Sequence, residues 1–166
     1  MNARVWLAAI FSLTSLPALA VSDDDCTLNS EALRPQVDAT RLPKGWKLVK
    51  ASRVERVHSE VFALPDGSQL TVAISGCAHL GLTFSIKSKL VEKMKPADAV
   101  ALIKKLSAQT PFLKDAHFGM PIMRDAFEAL KTVPEKFPVP LQCGKYETCE
   151  LQQSGDVISF AYDFPL

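Results

Sequence analysis

Residues 59–75 read SEVFALPDGSQLTVAIS, two alternating runs around an Asp66-Gly67 dipeptide. Asp-Gly between such runs is a hairpin signal, because a two-residue turn of this kind needs the positive φ that glycine adopts without strain. A turn of that length predicts Val61 opposite Val72, Ala63 opposite Leu70 and Ser59 opposite Ile74 on one apolar face. It leaves Phe62 with Thr71, Glu60 with Ala73 and His58 with Ser75 on a more polar face.

The pattern extends in both directions. Downstream, residues 80–87 (LGLTFSIK) set Leu80, Leu82, Phe84 and Ile86 against Gly81, Thr83, Ser85 and Lys87, which predicts a third strand of a meander. The link between the second and third strands then carries Cys77 and His79 at one rim of the sheet. Upstream, residues 46–64 alternate in parts, with Trp46 and Leu48 on one side and later Val61 and Ala63 on one side; one bent strand or two short ones fit.

After the meander the period changes to that of a helix. Pro96 stands at a first helical position ahead of Val100, Ile103 and Leu106, with Lys104 and Lys105 outside. Pro121 opens a second such run, with Ile122, Ala126, Phe127 and Leu130 on one face. Pro134, Pro138 and Pro140 punctuate a linker. Strand patterns return in residues 140–151 (PLQCGKYETCEL), read as a hairpin, and in residues 156–164 (DVISFAYDF). Strands, two helices, then strands predict an α+β fold: a mainly antiparallel sheet with both helices packed on one face.

The N-terminus has a different character. Arg4, an apolar run from Val5 to Leu16, Pro17 and the Ala18-Leu19-Ala20 pattern form a secretory signal, with Val21 as the expected first residue of the mature chain. Residues 21–45, with Pro35, Pro43 and Gly45, read as an irregular lead-in, and residues 46–166 as one α+β domain. Cleavage leaves about 146 residues, enough for one hydrophobic core.

Export bears on the four cysteines, Cys26, Cys77, Cys143 and Cys149. An even number in an oxidising compartment reads as two disulfides. Cys143 and Cys149 bracket a turn-forming insert and are expected to face each other across a hairpin, which leaves Cys26 to tie the N-terminal segment to Cys77. No Cys-x-x-Cys pair supports a redox role.

The remaining signals favour binding over catalysis. The full chain holds 19 basic and 18 acidic residues, and loss of Arg4 balances them, so nothing in the charge attracts nucleic acid or a membrane surface. Cys77 and His79 have the residue types of a nucleophile and base, but an exported thiol tends to be oxidised. His58, His79 and His117 lack ligand spacing, and Met120 and Met123 read as core rather than copper ligands. With seven glycines and no Gly-x-Ser-x-Gly elbow or phosphate loop, no cofactor, metal or catalytic residue is expected. Glu55, Glu60, Glu128, Glu135, Glu147 and Glu150 fall at scattered positions predicted to be exposed, and Lys44, Lys47, Lys50, Arg53 and Arg56 read as a solvated face.

The expectation is therefore a periplasmic, or otherwise secreted, disulfide-stabilised protein that recognises or inhibits another protein of the cell envelope, as an immunity protein or hydrolase inhibitor does. Ser75 and His79 on one loop, and Lys145, Tyr146 and Glu147 on the disulfide hairpin tip, are the expected contact residues. Two alternatives accompany it: a small exported enzyme using His79 as acid or base, and a structural or assembly factor of the envelope.

Overall fold

The computed structural model describes residues 36–37, 42–76, 79–108, 113–114, 119–144 and 148–165. In chain order its elements are β1 (Gln36–Val37), β2 (Lys47–Val54), β3 (Val57–Ala63), β4 (Gln69–Gly76), β5 (His79–Lys87), α1 (Pro96–Ala108), β6 (Leu113–Lys114), α2 (Gly119–Ala129), β7 (Val139–Gln142), β8 (Thr148–Ser154) and β9 (Val157–Pro165). The short β1 and β6 pair with each other, a contact for which residues 21–45 carry no periodic signal. The other seven strands form one sheet in the order β2-β3-β4-β5-β9-β8-β7. Every pairing in it is antiparallel, so the fold is α+β, and the last strand lies beside the third strand of the meander.

The β3–β4 connection corrects the expected register. Its loop is the three residues Pro65, Asp66 and Gly67, closed by Leu64 N–H donating to Ser68 O at 2.9 Å and Gly67 N–H donating to Leu64 O at 3.0 Å. Proline fits the second position of such a turn and Gly67 takes the left-handed conformation at φ 81°, which is the three-residue hairpin geometry. One extra loop residue moves the pairing by one and exchanges the faces. Phe62 now pairs with Leu70 and Glu60 with Val72, while Val61 pairs with Thr71. Phe62, Leu70, Val72 and Ile74 are buried, and Glu60, expected outside, is buried with them. Further upstream, a turn at Glu55 and Arg56 divides residues 46–64 into two strands, with a bulge at Val49.

The buried apolar side chains of β3, β4, β5, β7, β8 and β9 belong to one cluster with those of the helices, while β2 contributes none. Helix α1 contributes Ala99, Val100, Ile103 and Leu106, and α2 contributes Met123, Ala126 and Phe127, as the helical spacing predicts. The Phe127 and Phe160 rings meet at 5.7 Å between centroids, which sets α2 against the middle of the sheet. Burying such a side chain is worth about 1.5–3 kcal/mol. Gln153 Nε2 donates to Val91 O and ties β8 to the 3-10 turn Lys89–Val91 that leads from β5 to α1.

Two details near the C-terminus differ from expectation. Pro140, expected in a linker, lies inside β7, where an edge strand tolerates a residue without an N–H. Cys143 and Cys149 are bonded, with Cα atoms 5.8 Å apart, but Cys149 pairs directly with Leu141. The bridge therefore crosses the hairpin diagonally, between residues on one face. Cys26 and Cys77 lie outside the described residues.

Candidate functional site

The alternation that fills the core also determines what the other face of the sheet presents. Opposite the buried residues, β4 carries Thr71, Ala73 and Ser75, β5 carries Gly81, Thr83 and Ser85, and β9 carries Ser159, Ala161 and Asp163. In cross-strand register these form rows: Ser75, Gly81 and Asp163 in one; Ala73, Thr83, Ala161, Glu150 and Pro140 in the next. Neither row contains a large apolar side chain.

At the end of the sheet where the β4–β5 and β7–β8 connections lie, these rows line a cleft of about 650 Å³, with Ser75, Gly81, Thr83, Glu150 and Asp163 among its walls. That volume is in the range of sites that hold a ligand or an inserted side chain. Its floor is tightly built: a Cβ added to Gly81 would fall 2.5 Å from Ser75 Oγ, so glycine is what lets the Ser75 hydroxyl lie across β5. Glu150 accepts a hydrogen bond from Gln152 Nε2 on the same strand, which holds its carboxylate at the cleft. Glu150 and Asp163 are the acidic residues among the cleft's walls.

Of the expected contact residues, Ser75 and the backbone of His79 are described, and both lie at this end. Ser75 is half-buried in the cleft wall. His79 opens β5, its backbone in register with Pro165. The β7–β8 connection departs from Gly144 and re-enters at Thr148, and Lys145, Tyr146 and Glu147 between them lie outside the described residues. The two hairpins are centred three strand spacings apart, roughly 14 Å. Thr83, Glu150, Ala161 and Asp163 belong to no motif, and their signal in the sequence is the run of small or polar residues at the outward positions of β5, β8 and β9 that line this end.

Other candidates separate. His58 sits in β3, and His117 lies outside the described residues. Among the described residues no group of three or more His, Cys, Asp or Glu side chains is placed to hold a metal ion. Met123 is fully buried in the core. Lys47, Lys50 and Arg53 are exposed along the edge strand β2, and with the bulge at Val49 they are the devices that discourage edge-to-edge pairing.

The fold and cleft thus define a two-layer α+β domain with one helix-covered face and one open face. No family model, no curated protein and no solved structure matches the chain.

Proposed function

We propose that this is an exported, disulfide-stabilised binding protein of the periplasm that recognises another protein through the open face at the cleft end of the sheet. The observation that supports this reading is the cleft itself, which opens on the side of the sheet that the helices leave uncovered, at the end where β4, β5, β7 and β8 enter the two connections read as contact loops. Small side chains such as Ser, Ala and Gly lose little conformational entropy on burial, so a partner covers this face at low cost. The Glu150 carboxylate at the cleft suits a partner that inserts a basic side chain, as an enzyme whose cleft is being blocked can do.

The second part of the proposal is a Cys26–Cys77 bridge that fastens the N-terminal segment to the β4–β5 connection at the same end. Thiol labelling tests it: no cysteine should label before reduction and all four should label after it. A native protein in which Cys77 alone labels would contradict it.

The binding reading is tested by capture from an envelope extract on the immobilised protein. Thr83→Arg places a large cation in the cleft and should weaken capture by about tenfold or more, through desolvation and charge that the partner must displace. Lys104→Glu, on the exposed side of α1, should leave it unchanged. Equal capture by the Thr83→Arg protein would remove the cleft from the interface.

A further inference from the structure

A second cavity lies at the opposite end of the sheet, on the helix-covered side. It has a volume of about 520 Å³ and opens between the β3–β4 loop, the end of β5, the 3-10 turn and α1. Its walls are apolar: Trp46, Leu64, Ile86, Val91, Leu102 and Leu106 all line it. Met94, an adaptable side chain, borders it as well. Leu90, beside the opening, is 72% exposed, the largest exposure of a large apolar side chain among the described residues.

The charged side chains on the lining are Lys44, Lys105 and Asp66. Asp66 is already engaged: its Oδ1 accepts from Ser68 N–H at 3.0 Å and from Ser68 Oγ at 2.5 Å. These bonds, with a smaller contribution from the Lys105 charge, hold its carboxyl below the ordinary value. The rim thus carries two ammonium groups against one carboxylate that closes its own turn. An apolar interior with a positive rim selects a ligand with a hydrocarbon body and an anionic end.

We propose that this cavity binds a single-chain aliphatic carboxylate, its tail against Trp46, Leu64 and Leu102 and its head group between Lys44 and Lys105. Leu90 then covers the tail at the mouth, which gives its exposure in the ligand-free protein a purpose. The site is separate from the cleft on the open face and does not depend on the reading given to that cleft.

Titration calorimetry with dodecanoate, dodecanol and dodecylammonium, each below its micellar concentration, tests the proposal. Dodecanoate should bind about tenfold or more tightly than dodecanol, the difference that charge-assisted hydrogen bonds supply, and dodecylammonium more weakly than either. The double variant Lys44→Glu with Lys105→Glu should reverse the order of the two charged ligands. Leu102→Trp fills the cavity and should abolish dodecanoate binding; if that variant does not fold, Leu90→Asp at the exposed mouth should weaken binding by about tenfold or more. Equal affinities for the three ligands, or unchanged dodecanoate binding with the cavity filled, would overturn the assignment. So would the absence of binding by any of them, which is the outcome if the chain's own N-terminal segment occupies the cavity.

Discussion

The same strands present two faces of opposite kind. Toward the helices, β4, β5 and β9 turn Leu70, Val72, Ile74, Leu82, Phe84, Ile86, Ile158 and Phe160, all buried. Away from them, the alternate positions hold threonine, serine, alanine and glycine, half-buried or exposed. A large side chain on the covered face is fixed by its neighbours, and its loss leaves a cavity. Away from the close Gly81–Ser75 approach, a small one on the open face touches less, so changing it costs the free protein little and changes what can dock there. On the proposed reading, stability and recognition fall to the two sides of one sheet, one residue apart.

The largest expected effect tests that division directly. Phe160→Ala removes a ring that is fully buried against Phe127 and should destabilise the protein by about 3–5 kcal/mol in urea denaturation. Its neighbour on the other face, Ala161→Ser, should stay within about 0.5 kcal/mol of the parent. Comparable losses from both would show that the open face is covered in solution.

The disulfide belongs to the covered face, where Cys143 and Cys149 are both buried. Replacing Cys143 and Cys149 together by alanine should cost about 2 kcal/mol, because the closed loop is short. Partner capture should fall further than this loss explains if the bridge preorganises the hairpin tip.

Gly81→Ala sharpens the comparison from within the cleft. The new methyl meets the Ser75 hydroxyl, and moving that side chain off its rotamer should cost about 1 kcal/mol. Ser75→Ala in the same chain should recover most of it, since the Ser75 Cβ lies 3.8 Å from the added atom. Glu55 offers a smaller gain: it holds φ 53° in the β2–β3 turn, so Glu55→Gly should stabilise by up to about 1 kcal/mol in thermal denaturation.

The smallest effect is a pH dependence. Asp66 titrates below its usual 3.8 because Ser68 donates to its carboxylate. A lowered folded value means that the unfolded chain takes up the proton first, so the contribution is complete above the unfolded value and is lost as pH falls through the folded one. Asp66→Asn should remove this acid-side slope and leave the pH 6–8 range of a urea-midpoint series flat relative to the parent.

Much of this arrangement is legible in the sequence. The alternation of residues 80–87 and 156–164 gives two central strands, and Pro96 with its apolar spacing gives α1. The register of β3 with β4 is not legible from the Asp66-Gly67 dipeptide alone, because Pro65 claims the second position of the turn and lengthens the loop by one residue. Glu60 is the consequence: its burial follows from that single-residue slip. The β5–β9 pairing is hidden for another reason, since it joins segments separated by both helices and by the β7–β8 hairpin. The open face is visible only after the strands are ordered; Ser75, Gly81, Thr83 and Ala161 are individually plain residues, and their meaning comes from adjacency.

The most direct test of the account is site-specific photocrosslinking of the protein in the cells that produce it. A photoreactive side chain at Thr83, on the open face, should give one discrete adduct with a partner protein, and the same group at Lys104, on the outer side of α1, should not. Adducts of the same pattern from both positions, or from Lys104 alone, would contradict an open face built for recognition.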